Sequence, residues 1–250
     1  MYLKTTGLVL RQTDWRDNDR LLNVLTAEHG KLTFRARGVR SRSSRLKSGC
    51  QLLCYSEFTV FEKRGGSFEI NEAVPKEMFV ELRQDLELLS LATYFAQVAE
   101  VVAQEDCPNP ELLSLCLNAM YALSKLGKPQ PLVKVAFELR CACLAGYTPS
   151  LENCPVCGGD APDRFHLSEG AAVCAKCQSE LGEGVRLPLT PGMLQAMRHI
   201  VACDPQKLFS FRLGEENLLG LSSLTESYLM TQFERSFYTL DFYKSLMISE

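Results

Sequence analysis

Cys154, Cys157, Cys174 and Cys177 constrain this chain more than any other group of residues. They stand as Cys-x2-Cys-x16-Cys-x2-Cys within the segment NCPVCGGDAPDRFHLSEGAAVCAKCQ. A two-residue gap lets both thiolates of a knuckle face one ion, and two knuckles close a tetrahedron. Gly158, directly after the first pair, permits the tight backbone turn a knuckle needs. The segment between the pairs has almost no core of its own, so the spacing predicts a metal-dependent hairpin over residues 150–185. Four cysteines fill the shell and leave no place for a reacting water, which predicts one structural zinc ion. Four thiolates also suit iron, and a reduced metal-free loop or a redox pair are further readings of the same residues. His166 reads as a surface residue rather than a ligand, and Arg164 and Lys176 stand where they could temper the charge of the thiolates.

The chain has 11 cysteines in all. An odd number, with no apolar segment of signal-peptide length at the N-terminus, is not a disulfide framework. Cys116, Cys141 and Cys143 lie in apolar helical patterns and read as small buried hydrophobes. No apolar run reaches the roughly 18 residues of a membrane span. These features predict a cytoplasmic protein.

A second feature carries the charge. Residues 31–47, KLTFRARGVRSRSSRLK, hold seven basic residues and no acidic one, in a chain of net charge −3. In a strand, Lys31, Arg35 and Arg37 share one face, while Leu32, Phe34 and Ala36 point to a core. After Gly38 the segment is too polar for a core and rich in turn formers. Residues 1–70 carry 13 Lys/Arg against 7 Asp/Glu, and residues 71–250 carry 14 against 23. A basic strand and loop on an otherwise acidic chain suit a polyanion lying across a sheet. A solvated strand face followed by a polar loop is the plainer reading.

Around that stretch the alternation predicts strands over 3–10, 20–27, 31–38, 52–63 and 67–74, with a polar connector at 14–19. Turns are expected at Glu28-His29-Gly30-Lys31 and Arg64-Gly65-Gly66-Ser67. Five short strands without an intervening helix predict a small barrel, OB-like or SH3-like. From Met78 the period changes to three and four residues, giving a helix to about residue 104. Asn109-Pro110 opens another to about 125. Residues 132–146 are apolar nearly all round and predict a central buried helix. Thr190-Pro191 opens a helix to about 202, and a further helical block runs from 215 with interruptions. The expected class is α+β: an N-terminal five-stranded OB-fold barrel (1–77), then an all-helical domain (78–250) with the four-cysteine zinc hairpin inserted in it.

Enzyme signatures are missing. Gly127-Lys128 is not a phosphate-binding loop, because Ala122 and Pro129 occupy its glycine and hydroxyl positions. No glycine-rich dinucleotide motif and no nucleophile elbow occurs. Glu215-Glu216 reads as a helix N-terminus favoured by the dipole. The chain is expected to be non-catalytic.

The order of these features resembles the RecO family of bacterial DNA repair proteins. The residues that carry the resemblance are Gly7-Leu8-Val9-Leu10, His29-Gly30-Lys31, Ala36-Arg37-Gly38-Val39-Arg40 leading to Ser44-Arg45-Leu46, Phe137-Glu138-Leu139 ending in Ala145-Gly146-Tyr147, and Cys154 to Gly158. It covers the full length. The resemblance implies binding to single- and double-stranded DNA, annealing of complementary strands, and work with RecR to load RecA on DNA coated by single-strand-binding protein, whose C-terminal tail is contacted. Phosphate contacts would come from Lys31, Arg35, Arg37, Arg40, Arg42, Arg45 and Lys47. Trp15 and Tyr55 are candidates for base stacking, while Phe34 belongs to the core. Lys134 and Arg140 flank apolar residues suited to the tail. The alternatives are a zinc-containing protein-interaction scaffold and an RNA-binding OB protein.

Overall fold

Alternating apolar residues roll the first five strands into a barrel. Residues 2–63 and 66–247 are described in the computed structural model. β1 (Tyr2–Trp15), β2 (Asp19–Thr26), β3 (Gly30–Ala36), β4 (Tyr55–Glu62) and β5 (Phe68–Glu77) close in the order β1-β2-β3-β5-β4. β3 and β5 run parallel, with Phe34 opposite Phe68. Closure of this kind is the OB arrangement.

β1 makes the closure possible. Its first half pairs with β4, from Tyr2 opposite Phe61 to Leu8 opposite Tyr55. Its second half pairs with β2, from Gly7 opposite Thr26 to Trp15 opposite Asp19. An irregularity between Val9 and Arg11 lets one strand bend between two partners. The polar connector expected at 14–19 is therefore shorter. Asp14 and Trp15 belong to β1, and only 16–18 form the turn. The reason is cross-strand: Arg20 Nε donates to Asp14 Oδ1 at 2.7 Å, extending the ladder through polar residues.

Inside the barrel Val9, Leu22, Val24, Leu32, Phe34 and Phe58 are buried together. Phe34 sits edge-on to Phe58 (5.4 Å) and Phe68 (6.0 Å), so its place in the core is as expected. Gly30 has φ +62°, and a Cβ there would meet the carbonyl oxygens of Gln104 and Cys107. The turn thus demands glycine twice over. Of the second expected turn, Arg64 and Gly65 lie outside the described residues.

Residues 37–54 form a chain of turns. Val39 and Cys50 are buried in the barrel core and Leu46 packs against it, so the loop is pegged at three points. The Arg40 amide donates to Asn18 O (3.0 Å) and the Gln12 amide group to Cys50 O (2.5 Å).

The single helix expected over 78–104 is broken. A short 3₁₀ turn (Val80–Gln84) precedes α1 (Leu86–Val102), because Asp85 is extended (φ −129°, ψ 121°) and caps α1 by accepting from the Glu87 and Leu88 amides. Asn109 caps α2 (Pro110–Ser124) in the same way through the Leu112 amide. α6 (Tyr238–Met247) lies against α1. Tyr94 and Phe237 meet edge to face at 5.7 Å, and Thr239 bonds to Gln97 Oε1. The barrel, α1, α2 and α6 form one compact unit, Met1–Leu126 with Phe237–Glu250.

The second unit, Gly127–Ser236, holds α3 (Gln130–Leu144), α4 (Pro191–Ala202) and α5 (Glu215–Phe233). α3 is buried on nearly every side, as its composition predicts. Lys134 and Glu138 are buried within it. Lys134 Nζ lies 2.8 Å from Glu138 and 3.1 Å from Glu226, and Thr225 donates to Glu138 at 2.7 Å. The expectation that Lys134 and Arg140 rim a peptide site is corrected. Lys134 closes this internal network, and Arg140 donates to Cys203 O at 2.6 Å. Each charge is held where only partnership makes burial tolerable.

Candidate nucleic-acid interface and metal centre

The metal centre is built on short strands that period reading could not reveal. β6 (Arg164–His166) pairs with β7 (Ala171–Val173) on one side and β8 (Arg186–Pro188) on the other. This sheet sets the second cysteine pair beside the first. The Sγ atoms of Cys154, Cys157 and Cys174 lie within 4.8 Å of one another. Cys177 is 5% exposed and packs with Cys154 and Val173. Gly158 has φ +71°, and its amide donates to Cys154 O at 2.9 Å, closing the first knuckle.

Burial opposes ionisation of Cys154. The amides of Cys174, Cys157 and Val156 outweigh it and hold the thiol down at about 6. The Cys174 amide donates to Cys154 Sγ at 3.4 Å. Burial and the neighbouring thiolates push Cys174 up to about 11 and Cys177 up to about 12. Four thiolates so close repel one another unless a cation sits among them. The donor set therefore fits a soft or borderline divalent metal, and the cluster can hold a metal ion.

His166 corrects an expectation. It is fully buried on β6, not at the surface. Its ring lies under the backbone of Gly184, and Nδ1 faces the Glu169 amide at 3.4 Å. Burial, then Arg186, hold its pKa below the ordinary value. Phe165 and His166 point to opposite faces of β6 and both are buried, so the central strand of the small sheet is covered on both faces. Lys176 is exposed and Arg164 turns to Asp163, with Nη1 2.8 Å from its carbonyl oxygen.

The seven cations of residues 31–47 divide into two sets. Lys31 is half-buried, and its Nζ donates to Glu100 O at 3.0 Å. Arg35 forks Asp19 through Nε (3.0 Å) and Nη2 (2.6 Å). Both are engaged by the fold. Arg37, Arg40, Arg42, Arg45 and Lys47 are exposed. Arg40 Nη1 stands 3.4 Å from Asp14. Arg42, Arg45 and Lys47 have no ion-pair partner among the described residues. The exposed set thus belongs to the pegged loop rather than to the strand.

Beside β3 runs a groove of about 430 Å³, lined by Trp15, Arg16, Lys31, Arg35, Phe68 and Glu69 among others. Trp15 is 45% exposed at its mouth. Tyr55, the other stacking candidate, is half-buried where β4 leaves the loop and does not line the groove. Arg16 was not foreseen. It is hidden in the run Asp14-Trp15-Arg16-Asp17-Asn18-Asp19, where acidic neighbours mask a lone cation. Its left-handed backbone (φ 54°) has no signature in the sequence.

A closed OB barrel with an exposed basic loop, joined to a helical unit that carries a pair of cysteine knuckles, places the chain among OB-barrel proteins with an appended metal-type module. Two family models specify it further: Recombination protein O N terminal matches residues 1–79, and Recombination protein O C terminal matches residues 83–241. The chain is 34% identical over 248 residues to the DNA repair protein RecO of Acetivibrio thermocellus, covering 98% of this chain and 97% of that one. It is 27% identical over 249 residues to RecO of Alkaliphilus metalliredigens, covering 98% and 100%. RecO of Anaeromyxobacter sp. strain K is 35% identical over 199 residues, covering 78% and 77%. The chain belongs to the RecO family of DNA repair proteins. Among the described residues no helix is long and apolar enough to cross a membrane.

Proposed function

We propose that this protein is a non-catalytic recombination mediator. It binds single- and double-stranded DNA without sequence preference, anneals complementary strands, and assists RecA loading on DNA coated by single-strand-binding protein, together with RecR. The observation that carries the reading is the loop of residues 37–47, where five exposed cations stand on a barrel that holds them in place. Annealing requires no bond to break. It requires that two phosphate chains be neutralised side by side, which a cluster of exposed Arg and Lys side chains supplies. Cations that touch phosphate alone carry no sequence information, hence the absence of preference. Lys31 and Arg35 support the loop and the groove through internal bonds.

The cysteine cluster holds one structural zinc through Cys154, Cys157, Cys174 and Cys177. All four positions are filled by protein, so the metal organises the small sheet and takes no part in a reaction. An acidic, apolar C-terminal tail of single-strand-binding protein would meet Ala196, Phe211 and Leu213 with Arg212 beside them, in the groove along α4. DNA repair in the nucleoid is where such a protein would act.

The test is a variant with Arg37, Arg42, Arg45 and Lys47 changed to Ala. Single-strand affinity should fall about tenfold or more at moderate salt, and the rate of annealing should fall with it. Annealing that survives intact would move the DNA site elsewhere on the molecule.

A further inference from the structure

The groove beside β3 and the loop of residues 37–47 are chemically unlike. Along the groove every cation but Arg16 is already engaged. Lys31 bonds to Glu100 O, Arg35 to Asp19, and Lys63 is paired with Glu69. Glu105 and Asp106 line the same groove. Past Arg16, a phosphate chain laid along it would meet cations already bonded within the fold and acidic side chains. What the groove does offer is apolar: the exposed indole of Trp15, with Leu21, Leu32 and Phe68 behind it. A flat, uncharged ring with π faces is the ligand for such walls, and a nucleobase is one.

The backbone at the mouth points the same way. Arg16 follows Trp15 with φ 54°, a conformation that costs an L-residue energy and that clusters at ligand clamps. Its side chain is exposed and has no ion-pair partner among the described residues. The turn that carries it is joined to the basic loop. The Arg40 amide donates to Asn18 O at 3.0 Å, and the Gly38 amide to Asp19 Oδ1 at 2.8 Å. Loop cations and indole therefore share one hydrogen-bonded corner of the barrel.

We propose, on the DNA-binding reading above, that Trp15 stacks an unpaired base of a single strand at the mouth of the groove while Arg16 contacts the adjoining phosphate. Single strands use the groove and the loop. Duplex uses the loop alone, because its bases are stacked on one another and extruding one costs energy. Trp15 is thus the residue that separates the two substrates.

Trp15 is the chain's one tryptophan, so intrinsic fluorescence reports on it alone. Titration with a short oligothymidylate should quench that emission. A blunt duplex should leave it unchanged while binding, as followed by anisotropy of labelled DNA. Trp15→Ala should lower single-strand affinity about tenfold, as the loss of a base–aromatic stack does, and leave duplex affinity unchanged. Trp15→Phe should restore most of the loss. Equal quenching by duplex, or equal affinities lost or kept with both DNAs in Trp15→Ala, overturns the proposal. The four-residue loop variant separates it from the broader reading. If that variant weakens both DNAs while Trp15→Ala is silent, only the stacking claim fails. If the loop variant changes neither, the DNA-binding reading fails and the stacking claim with it.

Discussion

Asp19 is the residue on which the corner of the barrel turns. One carboxylate oxygen accepts from the Gly38 amide (2.8 Å) and the other from Arg35 (2.6 and 3.0 Å). The Gly38 amide first, and then Arg35, hold its pKa below the ordinary 3.8. Asp19→Asn keeps the volume and removes the charge. It should lower unfolding stability near neutral pH by about 1.5–3 kcal/mol, the range for hydrogen bonds to a charged group, as read by urea unfolding. The sign with pH follows from the direction of the shift. A depressed folded-state pKa means that the contribution is present above 3.8 and is lost as pH falls through the folded value. The gap between wild type and variant should therefore narrow below pH 3.8, and a gap that widens on acidification would contradict the assignment. Because Asp19 holds Arg35, that arginine serves the fold. Charge alone could not show this, since Arg35 finds its partner 16 residues away and Lys31 finds the Glu100 backbone carbonyl 69 residues away.

At the scale of elements, periodicity and turn chemistry told the most where segments are long. The barrel strands were legible because alternate residues of β2 and β3 are buried, and because Gly30 marks their turn. α2 and α4 were legible from Asn109-Pro110 and Thr190-Pro191, which do cap them. The break at Asp85 was hidden because a capping aspartate inside an apolar pattern looks like any exposed helical residue. The sheet of β6, β7 and β8 was hidden because three residues are too few to show alternation, and with it the burial of His166. The cysteine spacing was legible without the sheet that presents it. The sheet in turn explains a prediction. The core at the knuckles is small, consisting of Cys154, Val173 and Cys177 with Val156, Cys174 and Leu181 against them. A strong chelator should therefore lower the melting temperature by about 5 °C or more. Proteolysis should open residues 150–185 first, while far-UV circular dichroism retains the helical signal. Emission spectroscopy on protein purified without added metal should find zinc, and a full absence of metal would reject the site.

For the whole molecule, the charge asymmetry of the sequence does not coincide with the units of the fold. α1, α2 and α6 add their acidic residues to the barrel's unit. That unit holds 17 Lys/Arg against 18 Asp/Glu, and the other unit 10 against 12. Neither attracts DNA by net charge, so attraction is local and short in range, screened over about 10 Å at ordinary ionic strength. Affinity should then count individual contacts. Five exposed loop cations and Arg16 on a single strand give a slope of log affinity against log salt of about −4, at roughly 0.7 per phosphate. The five loop cations on duplex give about −4.5, at roughly 0.9 per phosphate. Changing Arg37, Arg42, Arg45 and Lys47 to Ala should flatten the slopes to about −1.4 on a single strand, where Arg40 and Arg16 remain, and about −0.9 on duplex, where Arg40 remains. Binding isotherms across a salt series measure this directly. A wild-type slope near twice these values would reveal a second basic surface, and an unchanged slope in the variant would remove the loop from the interface. The comparison tests placement as well as charge, because Lys31 and Arg35 carry the same charge as the loop residues and are excluded from the count because the fold half-buries them and engages them, whereas Arg40, although beside Asp14, stays exposed.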